Sequence, residues 1–268
     1  MEPKVSAAHR GAFGAAAVCI GVLSSAPASA QSADLPFRTM ESLTALGDAR
    51  SQLLVVPSEK EPWQRTALLM ASSGNASGGL TQQSTPFELA ARRGAQQWSI
   101  AGSGLQRISG ESGSTTGLSD VLLAYDRMVP LGERNLGVAR LGLVIPSGSK
   151  VSSKSAQFLA AGLARWELSN GVTAVPLGLV VYDTRTPPGD LSRWVQEVRL
   201  KLEGQTGPML ISAGVRAAHR KGADNVSTVQ VGLQYALSAD ARVIAEARRA
   251  VSGGFRANTI DLGFLWGF

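Results

Sequence analysis

The last nine residues, Ile260-Asp261-Leu262-Gly263-Phe264-Leu265-Trp266-Gly267-Phe268, constrain this chain more than any other stretch. Successive side chains of a strand point to opposite faces, so Ile260, Leu262, Phe264, Trp266 and Phe268 share one face. Asp261, Gly263, Leu265 and Gly267 share the other. Such a strand suits two settings. One is the edge of a water-soluble sandwich with its apolar face turned in. The other is a β-barrel in a membrane, where lipid meets the outside and polar side chains or water fill the inside.

The amino-terminal residues favour export. Lys4 and Arg10 precede a mostly apolar run from Gly11 to Leu23, and Ala28-Ser29-Ala30 forms a small-x-small cleavage site ahead of Gln31. Residues 1–30 are therefore expected to be a cleaved signal peptide, with no lipid anchor because Val18 precedes the single cysteine, Cys19. Processing would leave a cysteine-free chain, with neither a disulfide framework nor a thiolate metal site. No later stretch reaches the ~18 to 20 consecutive apolar residues of a membrane helix. Without Lys4, Arg10 and Glu2, 24 basic and 19 acidic residues remain, interleaved rather than clustered. Nucleic-acid binding would call for a basic stripe or a recognised motif, so no nucleic-acid partner is expected. A basic pore wall, or contact with anionic lipid headgroups, fits the excess better.

Residues 31–60 have helix-like apolar spacing from Met40 to Leu54, closed by Pro57 and Pro62. They are expected to form a periplasmic arm or a plug. From residue 61 to 268 the pattern changes to short alternating runs separated by Gly, Pro, Asn, Asp and Ser. About twelve strands result, running from 61–72 and 81–93 through 117–128 and 136–146 to 241–251 and 257–268. An even number is usual for single-chain bacterial barrels. With a periplasmic carboxyl end, Ser72 to Gly79, Ser109 to Thr116, Ser147 to Ser153, Thr184 to Asp190 and Arg220 to Asn225 fall outside the cell. The periplasmic connections, such as Gly94-Ala95 and Ser169-Asn170-Gly171, are mostly shorter, with Val129 to Asn135 the exception.

The two-residue period persists strand by strand. Val229, Val231, Leu233, Tyr235 and Leu237 alternate with Gln230, Gly232, Gln234 and Ala236. Trp194, Val198, Leu200 and Leu202 alternate with Arg193, Glu197, Arg199 and Lys201. A Lys or Arg facing lipid near the midplane costs about 2 to 4 kcal/mol, so the charged register is expected to look inward. Alternation alone would also fit a sandwich; the signal, the terminal strand and the even count favour the barrel. Aromatics add two bands: Trp63, Trp98, Tyr125, Trp166, Tyr235 and Trp266 towards the periplasm, and Phe87, Phe158, Tyr182 and Trp194 towards the outside.

Several segments resemble known proteins. Phe264, Trp266 and Phe268 resemble the carboxyl-terminal assembly signal of bacterial outer-membrane proteins, which implies the outer-membrane assembly machinery as a partner. Gly117-Leu118-Ser119-Asp120-Val121-Leu122-Leu123-Ala124-Tyr125 and Leu141-Gly142-Leu143-Val144-Ile145-Pro146-Ser147-Gly148 resemble two successive strands of the MetA-pathway of phenol degradation family, as does Gly232-Leu233-Gln234-Tyr235-Ala236-Leu237-Ser238. Ser119 departs from that family's pattern, which has glycine there. The resemblance implies an outer-membrane barrel of about a dozen strands passing small, often hydrophobic molecules, and it implies no catalytic residues.

Little in the chain supports covalent chemistry. After processing the one histidine is His219, with no serine two residues on to share its strand face. A hydrolase would need a serine from a neighbouring strand. One histidine, no thiol and no calcium-loop spacing leave no cofactor or metal expected. Gly102-Ser103-Gly104 and Gly253-Gly254 read as turn or bulge glycines rather than phosphate cradles. What remains is the lumen. Asp120, Asp126, Arg140, Arg165, Glu167, Arg193, Glu197, Arg199, Arg216, Glu246, Arg248 and Asp261 are expected to point inward, with Glu88, Arg92 and Lys201. There they would pair across strands as structure or set the field of a pore. The expectation is an all-β transmembrane antiparallel barrel of outer-membrane type, set in outer-membrane lipid and passing a small solute. A non-conducting structural or adhesion barrel is the alternative, with a lipid hydrolase behind it.

Overall fold

The computed structural model describes residues 63–268 except 112, 133, 134, 154, 170, 186–190, 253 and 254. The signal peptide and the arm expected over 1–30 and 31–60 lie outside the described residues. The described chain is all β: β1 (Gln64–Ala76), β2 (Leu80–Arg93), β3 (Gln96–Gly110), β4 (Gly113–Gly117), β5 (Val121–Pro130), β6 (Leu136–Ile145), β7 (Gln157–Ser169), β8 (Val172–Asp183), β9 (Trp194–Thr206), β10 (Met209–His219), β11 (Val226–Ala236), β12 (Ala241–Ser252) and β13 (Phe255–Gly267). Each pairs antiparallel with its neighbour, and β1 closes on β13 from Thr66↔Gly267 to Ala76↔Ala257. The terminal Phe268 is tied into this seam, its amide donating to the Arg65 carbonyl at 2.9 Å and its carbonyl accepting from the Arg65 amide at 3.2 Å. β4 and β5 both pair with β3 and together make one wall strand. The barrel therefore has twelve wall strands and no open edge.

Why these residues form a closed wall follows from the faces. The five terminal residues Ile260, Leu262, Phe264, Trp266 and Phe268 are all exposed, while Asp261 and Leu265 between them are buried. On β11, Val229, Val231, Leu233 and Tyr235 are exposed and Gln230 and Gln234 buried. In a closed barrel the exposed apolar set is the lipid face and the buried set looks into the lumen. Pro176 fits the same logic. It faces outward on β8, and the β7–β8 ladder skips it, running from Leu163↔Leu177 to Trp166↔Ala174. A residue without an amide proton is placed where no ladder bond is asked of it.

The lipid face carries aromatic pairs at both ends. Trp98 and Tyr125 stack at 4.6 Å, and Trp266 and Phe268 at 5.1 Å, near the periplasmic ends; Tyr182 and Trp194 meet at 4.7 Å near the outer ends. Phe87 departs from the expected outer band. It sits midway along β2, opposite Leu69 and Gly102.

Turns on the periplasmic side are tight. Gly94 and Gly207 take positive φ of 54° and 56° in two-residue connections, a geometry that suits hairpins. Two outer connections are shorter than the sequence pattern suggested. Ser72 to Ala76 and Gly113 to Thr116, expected as loop, are strand. Polar side chains there meet water beyond the hydrocarbon, so alternation of hydrophobicity fades although the ladder continues.

Candidate functional site

The interior is built from ion pairs that the strand register makes necessary. On β9 and β10, Arg199 stands directly opposite Arg216. Like charges across a ladder repel, and Glu197 bridges them, with Oε1 at 2.6 Å from Arg199 Nε and Oε2 at 2.7 Å from Arg216 Nη2. β12 and β13 repeat the arrangement with signs reversed. Glu246 opposes Asp261, and Arg248 joins them, 2.6 Å from Asp261 Oδ2 and 3.3 Å from Glu246 Oε1. Towards the periplasmic end Arg140 forks onto Asp126, its Nε and Nη2 donating at 2.6 and 2.8 Å. Gln97 donates to the same carboxylate, and Glu88 lies 4.0 Å from Arg140. Lys201 pairs with Glu203 at 2.8 Å.

The other expected lumen residues divide. Asp120 is buried, whereas Arg165 and Glu167 are half-buried near the periplasmic end of β7. Arg193 precedes β9, is exposed, and donates to the Tyr182 hydroxyl at the outer rim. His219 is also exposed at the outer end of β10, its Nδ1 2.6 Å from Asn225 Oδ1.

Charge is only part of the lining. Leu68, Met70, Ala101, Leu122, Ala124, Val144, Ile244 and Leu265 form a buried apolar cluster, and Leu159, Leu179, Val181 and Val195 a second. These residues come from β1, β3, β5, β6, β12 and β13, and from β7 to β9, on the faces that look inward. Glu197, Glu88 and Asp261 have 2% or less of their surface exposed. A water-filled channel would leave its lining wet, so these carboxylates are covered rather than open to water.

One side of the wall is built differently. β3 keeps a single register with β5 and β4, Gly102↔Val121 on one side and Gln106↔Gly117 on the other. Between them, across Ser103 to Leu105 and Leu118 to Asp120, the ladder thins to the Ser119 amide donating to the Ser103 carbonyl at 3.2 Å. Faces change across the gap: Gly102 lies against outward Phe87, while Gln106, four residues on, is buried. Neighbouring β2 is irregular at the same level, with a register shift between Ser84 and Pro86. Hydroxyls add bonds on both flanks of β3, to β2 on one side and across the gap on the other. Ser103 Oγ accepts from the Thr85 amide and Thr85 Oγ1 from the Leu105 amide. Ser119 Oγ accepts from the Ser103 amide and donates back to the Ser103 carbonyl. The Ser119 that departs from the resembled pattern thus stitches the break. The glycines of Gly102-Ser103-Gly104 mark it in the sequence, and Pro86 marks the matching irregularity in β2, since proline within a sheet is confined to edges and bulges.

Inside the break, Asp120 holds the connection from β6 to β7. Its carboxylate accepts from the Ser147 amide at 3.1 Å, the Ser153 amide at 2.9 Å and the Ser152 hydroxyl. Val151 and Ser152 are buried, and a side chain at Gly117 would strike Ser149 and Val151. The loop is therefore folded inward behind the break, with Ser155 donating to Asp183 at 2.7 Å as a second tether.

No family model and no curated protein matches the sequence. Solved structures do match the fold. An outer-membrane channel from Pseudomonas putida F1 superimposes with a TM-score of 0.61 at 13% identity, over 80% of this chain and 97% of that one. The NanC porin gives 0.54 at 11% identity, over 74% and 98%. The KdgM porin in complex with disordered oligogalacturonate gives 0.53 at 8% identity, over 75% and 99%. The chain has the fold of these outer-membrane β-barrels.

Proposed function

We propose that the chain is an outer-membrane channel that admits a small, predominantly apolar solute through the side of its wall rather than straight down its axis. The observation that carries this reading is the break between β3 and β4–β5. There the ladder thins to one backbone bond, from the Ser119 amide to the Ser103 carbonyl, with the Ser119 hydroxyl beside it, at a level where lipid-facing Leu105 and Leu118 are both exposed. Carboxylates covered this completely argue against free axial diffusion of polar solutes, and a wall thin in backbone bonds gives an apolar solute a route from lipid to interior. Asp120 and the inward loop stand directly behind that seam. The three short segments that resemble the MetA-pathway of phenol degradation family support the same substrate class. The reading includes export through residues 1–30 and insertion by the assembly machinery through the face of Phe264, Trp266 and Phe268.

A second reading, a closed structural barrel, is favoured by the nearly complete burial of the Glu197 and Asp261 ion pairs. One experiment separates them. Leu105→Cys and Leu118→Cys, opposite each other by the common register, are joined with a short thiol cross-linker in the processed protein. Uptake of a hydrophobic aromatic tracer into vesicles is then measured. The proposal expects uptake by the uncross-linked barrel and at least a tenfold loss on cross-linking, restored by cleaving the linker. Uptake indifferent to the cross-link refutes the lateral route, and no uptake by the folded, uncross-linked barrel refutes transport.

A further inference from the structure

The lipid face is not the same all round at its outer end. On β6 to β9 it carries Ile145, Phe158, Tyr182 and Trp194, an apolar and aromatic surface. On β12, β13, β1, β2 and β3 the outward positions are instead Arg249, Arg256, Asn258, Ser73, Asn75, Thr81, Gln83 and Arg107, all exposed. The register draws them into one patch. Arg249 opposes Asn258, which opposes Asn75, which opposes Thr81; two positions below, Ser73 opposes Gln83, which opposes Arg107. The Asn258 amide donates to Asn75 Oδ1 at 3.4 Å, and the Arg256 backbone is held by Ser77.

No acid among the described residues lies on the outward face of these strands beside the three arginines. Among the described residues of β12, β13 and β1 to β4, Glu88, Glu246 and Asp261 are buried inside, and Glu111 is exposed at the β3–β4 turn. The inward Arg140, Arg199, Arg216 and Arg248 sit against carboxylates, whereas the outward three are drawn together in one patch of amides and hydroxyls. A guanidinium is suited to phosphate, which it meets with two parallel hydrogen bonds, and amides and hydroxyls beside it suit sugar hydroxyls. The patch sits where the headgroups of the outer leaflet lie against the wall.

We propose that this patch binds the phosphorylated sugar headgroup of an outer-leaflet glycolipid, with Arg107, Arg249 and Arg256 holding phosphate and the Asn75–Asn258 row and Gln83 holding sugar. The proposal rests on the outer-membrane orientation given above but not on conduction. Gln83 borders the bulge at Thr85, so the bound headgroup would stand beside the break in the wall. That position couples the lipid to the seam rather than to the far, aromatic side.

The test uses the full processed barrel in detergent, with lipid A carrying two phosphates as probe and the same glycolipid stripped of both as comparison, read by native mass spectrometry. Wild type is expected to retain the phosphorylated form at least tenfold more tightly than the stripped form. R107Q/R249Q/R256Q is expected to lose that preference, while R93Q/R127Q, with exposed arginines at the periplasmic end, keeps it. If the triple variant does not fold, Arg256→Gln alone is read in the same way, with at least a threefold loss expected. Equal retention of both glycolipids, an unaltered triple or single variant, or equal loss in R93Q/R127Q overturns the proposal. So does a wild-type dimer that covers the patch and is not displaced by the phosphorylated probe. Because the assay reads no uptake, a barrel that proves non-conducting leaves this result standing on its own.

Discussion

At the scale of single residues, the interior is governed by who stands opposite whom. Arg199 and Arg216 are forced together by the β9–β10 register, and Glu197 is what makes that tolerable. Breaking a buried ion pair by removing one partner costs about 3 to 5 kcal/mol, because the remaining charge stays buried without compensation. Glu197→Ala is therefore expected to lower unfolding stability in lipid vesicles by about that amount, measured by urea titration, and Gln at the same position to recover part of it. A change within 0.5 kcal/mol would mean the arginines reach water. Asp120→Ala is expected to act differently. It strips the loop of three hydrogen bonds, at a stability cost of about 1 to 3 kcal/mol, and frees Val151 and Ser152. Tracer uptake into vesicles should rise; an unchanged rate would separate the loop from the path. The sequence exposed the inward charges by their alternation with large apolar residues. It did not expose their partners, since pairings such as Arg248 with Asp261 depend on register, nor the buried leucines, since alternation says which face a leucine takes and not what fills the far side.

At the scale of strands, the lipid face was legible where side chains meet hydrocarbon and faded where they meet headgroups. The terminal strand and β11 alternate cleanly, and their outward sets are those read from the pattern. Ser72 to Ala76 looked like loop because polar residues at both faces hide a ladder that continues into the headgroup region. The paired irregularities of β2, β3 and β4–β5 each carry a mark, Gly102 and Gly104 for one and Pro86 beside Thr85 for the other. Face assignment can be tested on β11. Val231 is exposed at mid-strand and neighbouring Gln230 is buried. Val231→Lys should destabilise the barrel by about 2 to 4 kcal/mol, as for a lysine facing the bilayer midplane. Gln230→Lys should leave lipid contact unaltered and change stability through the Arg248 neighbourhood instead. Urea titrations of the two variants in vesicles of fixed lipid composition make the comparison; if Val231→Lys costs less than 1 kcal/mol, that face does not meet hydrocarbon.

At the scale of the whole molecule, the claim is inversion: apolar residues outside, charges and a minor apolar filling inside, with the wall closed by β1 on β13. The tryptophans report on it without mutation. All five, Trp63, Trp98, Trp166, Trp194 and Trp266, are about half exposed, between 49% and 55%, on the outer surface near the strand ends. The decisive measurement is tryptophan fluorescence of the unmodified barrel in vesicles whose acyl chains carry bromine at a shallow or a deep position. The account predicts blue-shifted emission, strong quenching by shallow bromine and weaker quenching by deep bromine. Emission that no brominated lipid quenches, from a folded protein, would put the tryptophans in a dry interior and contradict the account.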